Sequence, residues 1–308
     1  MKAKSYTTYG ACRIALIAAT LTVGACDAVN EAADAIDDIG NDADVHYYLS
    51  LGTSLSVGVQ PNGSGIPLPT NDGYADQLFD SIRPAFEAAA ALPTELRLVK
   101  LGCPGETLAD MVDSGSCPYI AGSQLNAALA FLTDNGDKVH LVTIDMGAND
   151  FRNADCIGAT VDTFCVADVS VQIETDLAPV LAALRLAAHP NTIIVGMNYY
   201  NPYLSSWLEG DAGKALAIAS TPVVAELNDL LGATYTDAGM PMADVATAFQ
   251  SGDITMVPYS QPPPDMLPLN VANICDFTYQ CDPDLGPDIH ANTSGYSMIA
   301  VAFEAALP

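Results

Sequence analysis

The sequence is poor in positive charge. It contains ten Lys and Arg residues against 37 Asp and Glu residues, which gives a formal net charge of -27 at pH 7. Nucleic acids and anionic membrane surfaces attract proteins through clusters of basic side chains. Neither is therefore expected as a partner of this chain.

Long apolar runs are also missing, because no stretch reaches the roughly 20 apolar residues that a transmembrane helix needs. The apolar run at 14–21 follows Lys2, Lys4 and Arg13, and small residues then lead to Cys26. This layout is typical of a secretory signal peptide, which we predict over residues 1–25. That segment holds three bases and no acid, so its removal takes the net charge from -27 to -30.

The four residues that end at Cys26, VGAC, resemble a bacterial lipobox, in which the cysteine is lipidated and begins the mature lipoprotein. Residues 27–44 contain seven acidic residues and no base. We expect residues 26–45 to form a lipid-anchored acidic tether, followed by one folded domain at 46–308. The expected location is the bacterial cell envelope, as a lipoprotein in the periplasm or on the cell surface, or the medium after secretion.

No C-x-x-C pair is present, and this disfavours a metal site built from thiols. If Cys12 leaves with the signal and Cys26 carries lipid, six cysteines remain, an even number that suits disulfides in an exported protein. Six cysteines allow fifteen connectivities. We predict the one with the shortest loops, which pairs Cys103 with Cys117, Cys156 with Cys165, and Cys275 with Cys281.

Strand-like and helix-like segments alternate along the rest of the chain, without an internal repeat. The predicted strands cover residues 47–51, 96–101, 139–145 and 192–197, and the main predicted helices cover 73–91, 125–132, 169–188, 214–231 and a final segment that ends at 306. Residues 257–272 are rich in proline and are predicted to form a loop. This alternation is typical of a doubly wound α/β domain with a parallel sheet.

Three of the predicted strands are followed by turns that contain Ser54, Gly105 and Asn149. The carboxyl ends of parallel strands meet at one rim of the sheet, where ligands of such folds bind. His290 comes just before the last helix and can reach the same rim. Simpler roles exist for two of these residues, because Ser54 can cap a helix and His290 can be merely exposed.

Taken in order, the segments GTSL at 52–55, GCPGET around Gly105, GAND at 147–150 and DIH at 288–290 resemble the four blocks of the SGNH (GDSL-type) hydrolase family. The resemblance runs from residue 46 to 306, and the loops at 198–204 and 270–281 are similar to those of secreted bacterial lipases and esterases. It implies a three-layer α/β/α flavodoxin-like fold with about five, mainly parallel, strands. It also implies ester hydrolysis without a metal or cofactor.

The resemblance implies that Ser54 is the nucleophile and His290 its base. The oxyanion hole is then formed by the backbone N–H groups of Ser54 and Gly105 and by the side-chain amide of Asn149. The residue types suit this chemistry, because a serine hydroxyl needs a positioned base and an oxyanion needs preorganised donors.

Two positions depart from the family pattern. Thr53 stands where the family has an aspartate, and we expect it to form a local hydrogen bond in its place. The family's acid usually lies three residues before the histidine, and this position is Pro287. Asp288, two residues before His290, is the candidate for the third catalytic residue, and the alternatives are Asp282, Asp284 or a backbone carbonyl.

The sequence therefore predicts an exported serine esterase or lipase, a monomer that acts on a small-molecule or lipid-like ester. Residues 199–207 and 257–269 are expected to wall the acyl pocket. Alternatives on the same site are a polysaccharide deacetylase, a phospholipase or a polyester hydrolase. A non-catalytic surface-binding lipoprotein is a further alternative, and it predicts damage to at least one of the four blocks.

We predict that activity does not depend on a metal. The acidic residues Asp276, Asp282, Asp284 and Asp288 lack the regular alternation of a calcium-binding EF-hand loop. Hydrolysis of a p-nitrophenyl acyl ester by the purified protein should therefore be unchanged in excess EDTA. Loss of activity in EDTA that is restored by added Ca²⁺ would contradict this prediction.

Overall fold

The computed structural model describes residues 44–260 and 265–308. The predicted signal peptide, the lipidation site Cys26 and the tether up to residue 43 lie outside the described residues. The first strand already begins at Asp44, so the last two residues assigned to the tether, Asp44 and Val45, belong to the folded domain.

The main sheet, in the described part of the chain, contains five strands that all pair in parallel. They are β1 (Asp44–Gly52), β2 (Thr94–Lys100), β3 (Val139–Asp145), β4 (Ile193–Met197) and β5 (Met242–Ala243), in the order β2-β1-β3-β4-β5. The predicted parallel sheet is confirmed. The strand order reverses between β1 and β3, and the crevice at their carboxyl ends is the usual binding site of this topology.

The helices cover both faces of the sheet. They are α1 (Tyr74–Ala89), α2 (Leu108–Val112), α3 (Gln124–Asn135), α4 (Ala148–Asn153), α5 (Thr163–Ala187), α6 (Gly210–Asp237), α7 (Val245–Ala248), α8 (Leu269–Phe277) and α9 (Thr293–Ala305). Helices α1 and α9 pack together, with the rings of Tyr74 and Phe303 stacked 4.7 Å apart, while α5 packs against both α3 and α6. The rule that crossovers between parallel strands are right-handed assigns these two groups to opposite faces, which gives the predicted three layers.

Burial on both faces explains why the central strands are continuously apolar. In β1, the side chains of Tyr48, Leu49 and Leu51 are fully buried although they point to alternate faces of the sheet. The strand must end where polar groups can be satisfied, and it does so at Gly52, the first residue of the turn that carries Ser54.

The prediction of a loop over residues 257–272 is wrong in the described part of that range. Met256–Pro258 pairs with Met266–Pro268 in a small antiparallel hairpin, and α8 follows directly. Prolines are tolerated in strands that have a free edge, and a two-stranded hairpin has only such edges. Helices α2 and α4 were not predicted either, because five or six residues are too few for a periodic signal.

Disulfides join Cys103 to Cys117, Cys156 to Cys165, and Cys275 to Cys281. The first encloses the segment that carries Gly105, and the third lies shortly before His290. Three disulfides fit a protein of an oxidising compartment. None of the helices in the described ranges is long and apolar enough to cross a membrane.

Replacing Cys103 and Cys117 together by serine should lower the free energy of unfolding by about 3 kcal/mol, because their loop restricts the unfolded chain. The shorter loop between Cys275 and Cys281 should contribute less, about 2 kcal/mol on the same relation. Urea unfolding of the purified variants measures both values. A larger loss from the shorter loop would show that loop closure is not the main contribution.

Candidate active site

The turn that carries Ser54 is held by a buried carboxylate from the neighbouring strand. The backbone N–H and the hydroxyl of Thr53 both donate to Oδ1 of Asp145, at 2.7 and 2.8 Å, and Tyr74 donates to Oδ2 at 3.1 Å. The partner of Thr53 therefore lies at the end of β3. The expectation that Thr53 forms a local hydrogen bond is wrong. Ser54 itself is half-buried at the start of the turn.

Close approach to Asp145 requires glycine at position 52. Gly52 has a φ of +130°, and a Cβ at this position would lie only 2.5 Å from Cγ of Asp145. Burial raises the pKa of Asp145 to about 7, although the hydrogen bonds from Thr53 and Tyr74 favour its ionised form. The turn that carries Ser54, the predicted nucleophile turn, therefore depends on a carboxyl group that is fully withdrawn from solvent.

A second buried side chain, Gln124, fixes the backbone of the same turn. Its Oε1 accepts from the N–H of Gly52 at 2.6 Å, and its Nε2 donates to the carbonyl of Gly52 at 2.9 Å. Nε2 also donates to Oε2 of Glu106, the residue after Gly105. Gln124 at the start of α3 thus connects the nucleophile turn to the loop predicted to form the oxyanion hole.

Glu106 is almost completely buried, and its Oε1 has no hydrogen-bond partner. Desolvation raises the pKa of this carboxyl group to about 7, against the opposing effect of the hydrogen bond from Gln124. The neutral form is therefore strongly favoured in the folded protein below neutral pH.

The loops that carry Gly105 and Asn149 are also joined to each other. The side-chain amide of Asn149 donates to the carbonyl of Glu106 at 3.0 Å, and the carboxylate of Asp150 accepts from the N–H of Leu108. One N–H of the Asn149 amide remains for a ligand. Gly105 is exposed at a φ of +81°, a conformation that favours glycine, but it does not line the cavity that Ser54, Asn149 and His290 share.

His290 forms a close pair with Asp288. Nδ1 of His290 lies 2.6 Å from Oδ1 of Asp288, and the same oxygen accepts the backbone N–H of His290 at 2.8 Å. Burial opposes ionisation of Asp288, but the hydrogen bonds and the charge of His290, together with the charge of Arg152, lower its pKa below the usual value. An ionised Asp288 holds the imidazole with Nδ1 protonated and Nε2 free to act as a base.

Neither of the other acids considered for this role forms a hydrogen bond to His290 in the described part of the chain, and Asp284 is exposed. Asp282 accepts the backbone N–H groups of Asp284 and Leu285, which closes a local turn. The hydroxyl of Tyr200 donates to the carbonyl of Ile289 at 2.6 Å and so anchors the segment between Asp288 and His290.

Within the described residues, no group of three or more His, Cys, Asp or Glu side chains is arranged to hold a metal ion.

Ser54, Asn149 and His290 line one cavity of about 80 Å³ at the carboxyl ends of β1 and β3. Its apolar wall comes from three tyrosines after β4 and from α4 and α6, and consists mainly of Tyr199, Tyr200, Tyr203, Phe151, Val224 and Leu227. The expected contribution of residues 199–207 is present in part. The described residues of 257–269 do not line the cavity, so the expectation that they wall the acyl pocket is wrong. Val224 and Leu227 of α6 form part of the wall instead.

The sequence from residue 48 to 303 matches the family described as GDSL-like Lipase/Acylhydrolase. The chain belongs to this family. Members hydrolyse esters, and the predicted resemblance and enzyme class are confirmed. The alternative of a surface protein without catalytic activity loses its basis, since the family is one of ester hydrolases and Ser54, Gly105, Asn149 and His290 are all present.

Several solved structures are similar to this GDSL-family chain. Phospholipase A1 from Streptomyces albidoflavus NA297 matches with a TM-score of 0.50 and 18% identity, over 85% of this chain and 99% of that protein. The extracellular lipase from Streptomyces rimosus matches with a TM-score of 0.49 and 17% identity, over 85% and 100%. An acetyl xylan esterase variant from Geobacillus stearothermophilus matches with a TM-score of 0.48 and 15% identity, over 86% of this chain and 95% of that protein. No curated protein matches the sequence.

Four residues of the site were not predicted from the sequence. Asp145 and Gln124 fix the nucleophile turn, Glu106 lies beside the oxyanion loop, and Arg152 lines the cavity. One signal was available for Asp145, because an acid that ends an apolar strand is rarely buried without a role. The partners of Gln124 and Glu106 lie too far along the chain to be recognised from spacing.

The raised pKa of Glu106 predicts a stability that depends on pH. Between about pH 4.5 and 7 the folded protein keeps a proton that the unfolded chain releases, so a rise in pH favours unfolding. As the pH rises through this range, the free energy of unfolding falls. Glu106→Gln keeps an acceptor for Gln124 and should make this fall smaller by about 1–3 kcal/mol. Because the pKa of Asp145 is also raised, its ionisation lowers the free energy of unfolding over the same pH range. Part of the pH dependence should therefore remain in the variant.

Urea unfolding at pH 5 and pH 8 measures the effect. The difference in unfolding free energy between the two pH values should be smaller in the variant than in the parent protein. An equal difference in both would show that Glu106 does not hold the extra proton.

Proposed function

We propose that this protein is an exported serine esterase or lipase that forms an acyl-enzyme on Ser54. The observation that carries the proposal is that His290 lines the same cavity as Ser54 and Asn149 and is hydrogen-bonded to Asp288 behind it. A histidine oriented by an acid, beside a serine and an amide donor, is the arrangement required for acyl transfer.

In the first half of the reaction, Oγ of Ser54 attacks the ester carbonyl while Nε2 of His290 takes the hydroxyl proton. The tetrahedral oxyanion is stabilised by the N–H groups of Ser54 and Gly105 and by the amide of Asn149. His290 then gives the proton to the leaving alcohol. In the second half, water attacks the acyl-enzyme with His290 again as base, and Ser54 is regenerated.

Asp288 stabilises the imidazolium of His290 through the 2.6 Å contact and keeps the imidazole in the required tautomer. Its carboxylate is partly shielded from water, and this strengthens the interaction. Gln124 and Asp145 hold the backbone on the nucleophile side, so that Ser54 need not reorganise during the reaction.

The apolar cavity supports an acyl group as the part of the substrate that is enclosed. The similar solved structures include a phospholipase, a lipase and an acetyl xylan esterase, but at these identities the similarity concerns the fold alone. Phospholipids, polysaccharide acetyl groups and polyesters therefore stay alternatives to simple acyl esters on the same site.

The proposal includes a signal peptide at 1–25, a lipid anchor on Cys26, an acidic tether up to residue 43, and a monomeric catalytic domain. The lipobox-like sequence and the acidic composition of residues 27–44 support the anchor and tether. The three disulfides support export, since such bonds persist in oxidising compartments.

A fluorophosphonate probe should label the protein at Ser54, because only an activated serine attacks such a probe. Ser54→Ala should abolish labelling and hydrolysis of p-nitrophenyl butyrate. Asp288→Asn should stay folded and lower kcat by about 10²- to 10⁴-fold, since the tautomer of His290 is no longer fixed. Gel fluorescence and steady-state kinetics measure these effects.

Ser81→Ala is the matched control. Ser81 is exposed on α1, where it donates to Glu304, and its loss should change neither labelling nor turnover. Hydrolysis at the parent rate by the Ser54→Ala variant would exclude the proposed mechanism.

A further inference from the structure

Arg152 differs from the other basic residues of the described chain. Six of the seven Lys and Arg side chains in the ranges 44–260 and 265–308 have a polar partner. The pairs are Arg83 with Asp80, Arg97 with Glu95, Lys100 with Asp76, Lys138 with Asp44, Lys214 with Asp211, and Arg185 with backbone carbonyls. Within these ranges, Arg152 forms no hydrogen bond and no ion pair.

An unpaired arginine is unexpected in this protein. Acidic residues outnumber basic ones 37 to ten, so carboxylate partners are abundant on the surface. Arg152 nonetheless keeps the donors of its guanidinium group free. Its place in the last turn of α4 suits the helix dipole, but this interaction occupies none of those donors.

The position of Arg152 connects it with the reaction. It follows Asn149 by three residues on α4, so the two side chains lie on the same helix face. It lines the same cavity as Ser54 and His290. Unlike the buried wall of Tyr199 and Tyr200, Arg152 is exposed, which places it at the mouth of the cavity.

The two ends of the cavity therefore suit different parts of an ester. The buried apolar wall suits the acyl chain, and the exposed mouth is left for the alcohol. Arginine presents a planar set of donors that matches a carboxylate or a phosphate in a bidentate manner. A strongly negative protein would otherwise repel an anionic substrate, and a free cation at the mouth offsets this repulsion locally.

We propose that Arg152 binds an anionic group, a carboxylate or a phosphate, on the alcohol part of the ester substrate. The proposal rests on the proposed function and deepens it, because it selects esters of acidic alcohols over neutral ones. Arg152 is then a residue of substrate specificity, and Ser54, His290 and Asp288 perform the chemistry.

The test compares three esters that differ only in the alcohol: 1-butyrylglycerol, 1-butyrylglycerol 3-phosphate and 3-butyrylglycerate. Release of butyrate gives kcat/KM for each. In Arg152→Ala, the ratio of kcat/KM for an anionic ester to that for 1-butyrylglycerol should fall by about 10- to 100-fold, mainly through KM. Arg152→Lys should retain part of the preference. The anionic ester with the larger loss identifies the group that is bound.

Arg83→Ala is the matched control, because it removes the same charge from an exposed position on α1. In Arg83→Ala, the ratio of kcat/KM for an anionic ester to that for 1-butyrylglycerol should equal the ratio of the parent protein. An equal loss of kcat/KM on neutral and anionic esters in Arg152→Ala would overturn the proposal. Arg152 would then act through Asp288, because the charge of Arg152 favours the ionised form of that carboxyl group. An unchanged ratio would also overturn it.

Failure of the proposed function gives a different result. In that case 1-butyrylglycerol would still be hydrolysed by the Ser54→Ala variant. Hydrolysis that depends on Ser54, with a ratio that does not depend on Arg152, would reject the specificity proposal alone.

Discussion

The carboxylate of Asp145 is the group on which the rest of the site depends. It is buried at the end of β3, and it reaches across to the end of β1, where both the N–H and the hydroxyl of Thr53 donate to it. A buried polar group is tolerated only when it is hydrogen-bonded, so the turn has little freedom to move away. The direction of Ser54 is therefore set by the pairing of two strands in the sheet interior rather than by the turn alone.

The sequence was sufficient to predict a parallel sheet, the succession of its main strands and helices along the chain, and three residues, Ser54, Asn149 and His290, that line one cavity. Strand-like segments of five to seven residues and glycine-bearing turns are local signals, and they were enough for β1 to β4. Pairings such as Gln124 with Gly52, or Glu106 with Gln124, depend on how loops meet in space, and no periodicity records them. The hairpin and helix α8 within the proline-rich segment were missed because proline usually marks loops.

The pair of His290 and Asp288 shows how a spacing can differ from the family pattern while the contact persists. With Pro287 at the usual position of the acid, the carboxyl group moves one residue closer to the histidine. Asp288 then accepts both the backbone N–H and the ring of His290, as a side chain does in an Asx turn. Hydrogen bonds of Tyr279 to this segment, and of Tyr200 to the carbonyl of Ile289, fix the path of the backbone around it.

The groups assigned to catalysis lie on four separate segments, and they come from both ends of the folded chain. During synthesis, the segment of Ser54 leaves the ribosome early, whereas His290 follows only when nearly the whole domain has been made. An unfinished chain thus contains Ser54 without His290, its proposed base, and its loops at the rim lack the segment of Asp288. Under the proposed mechanism, the order of these segments along the chain delays hydrolytic activity until the segment of His290 has been synthesised.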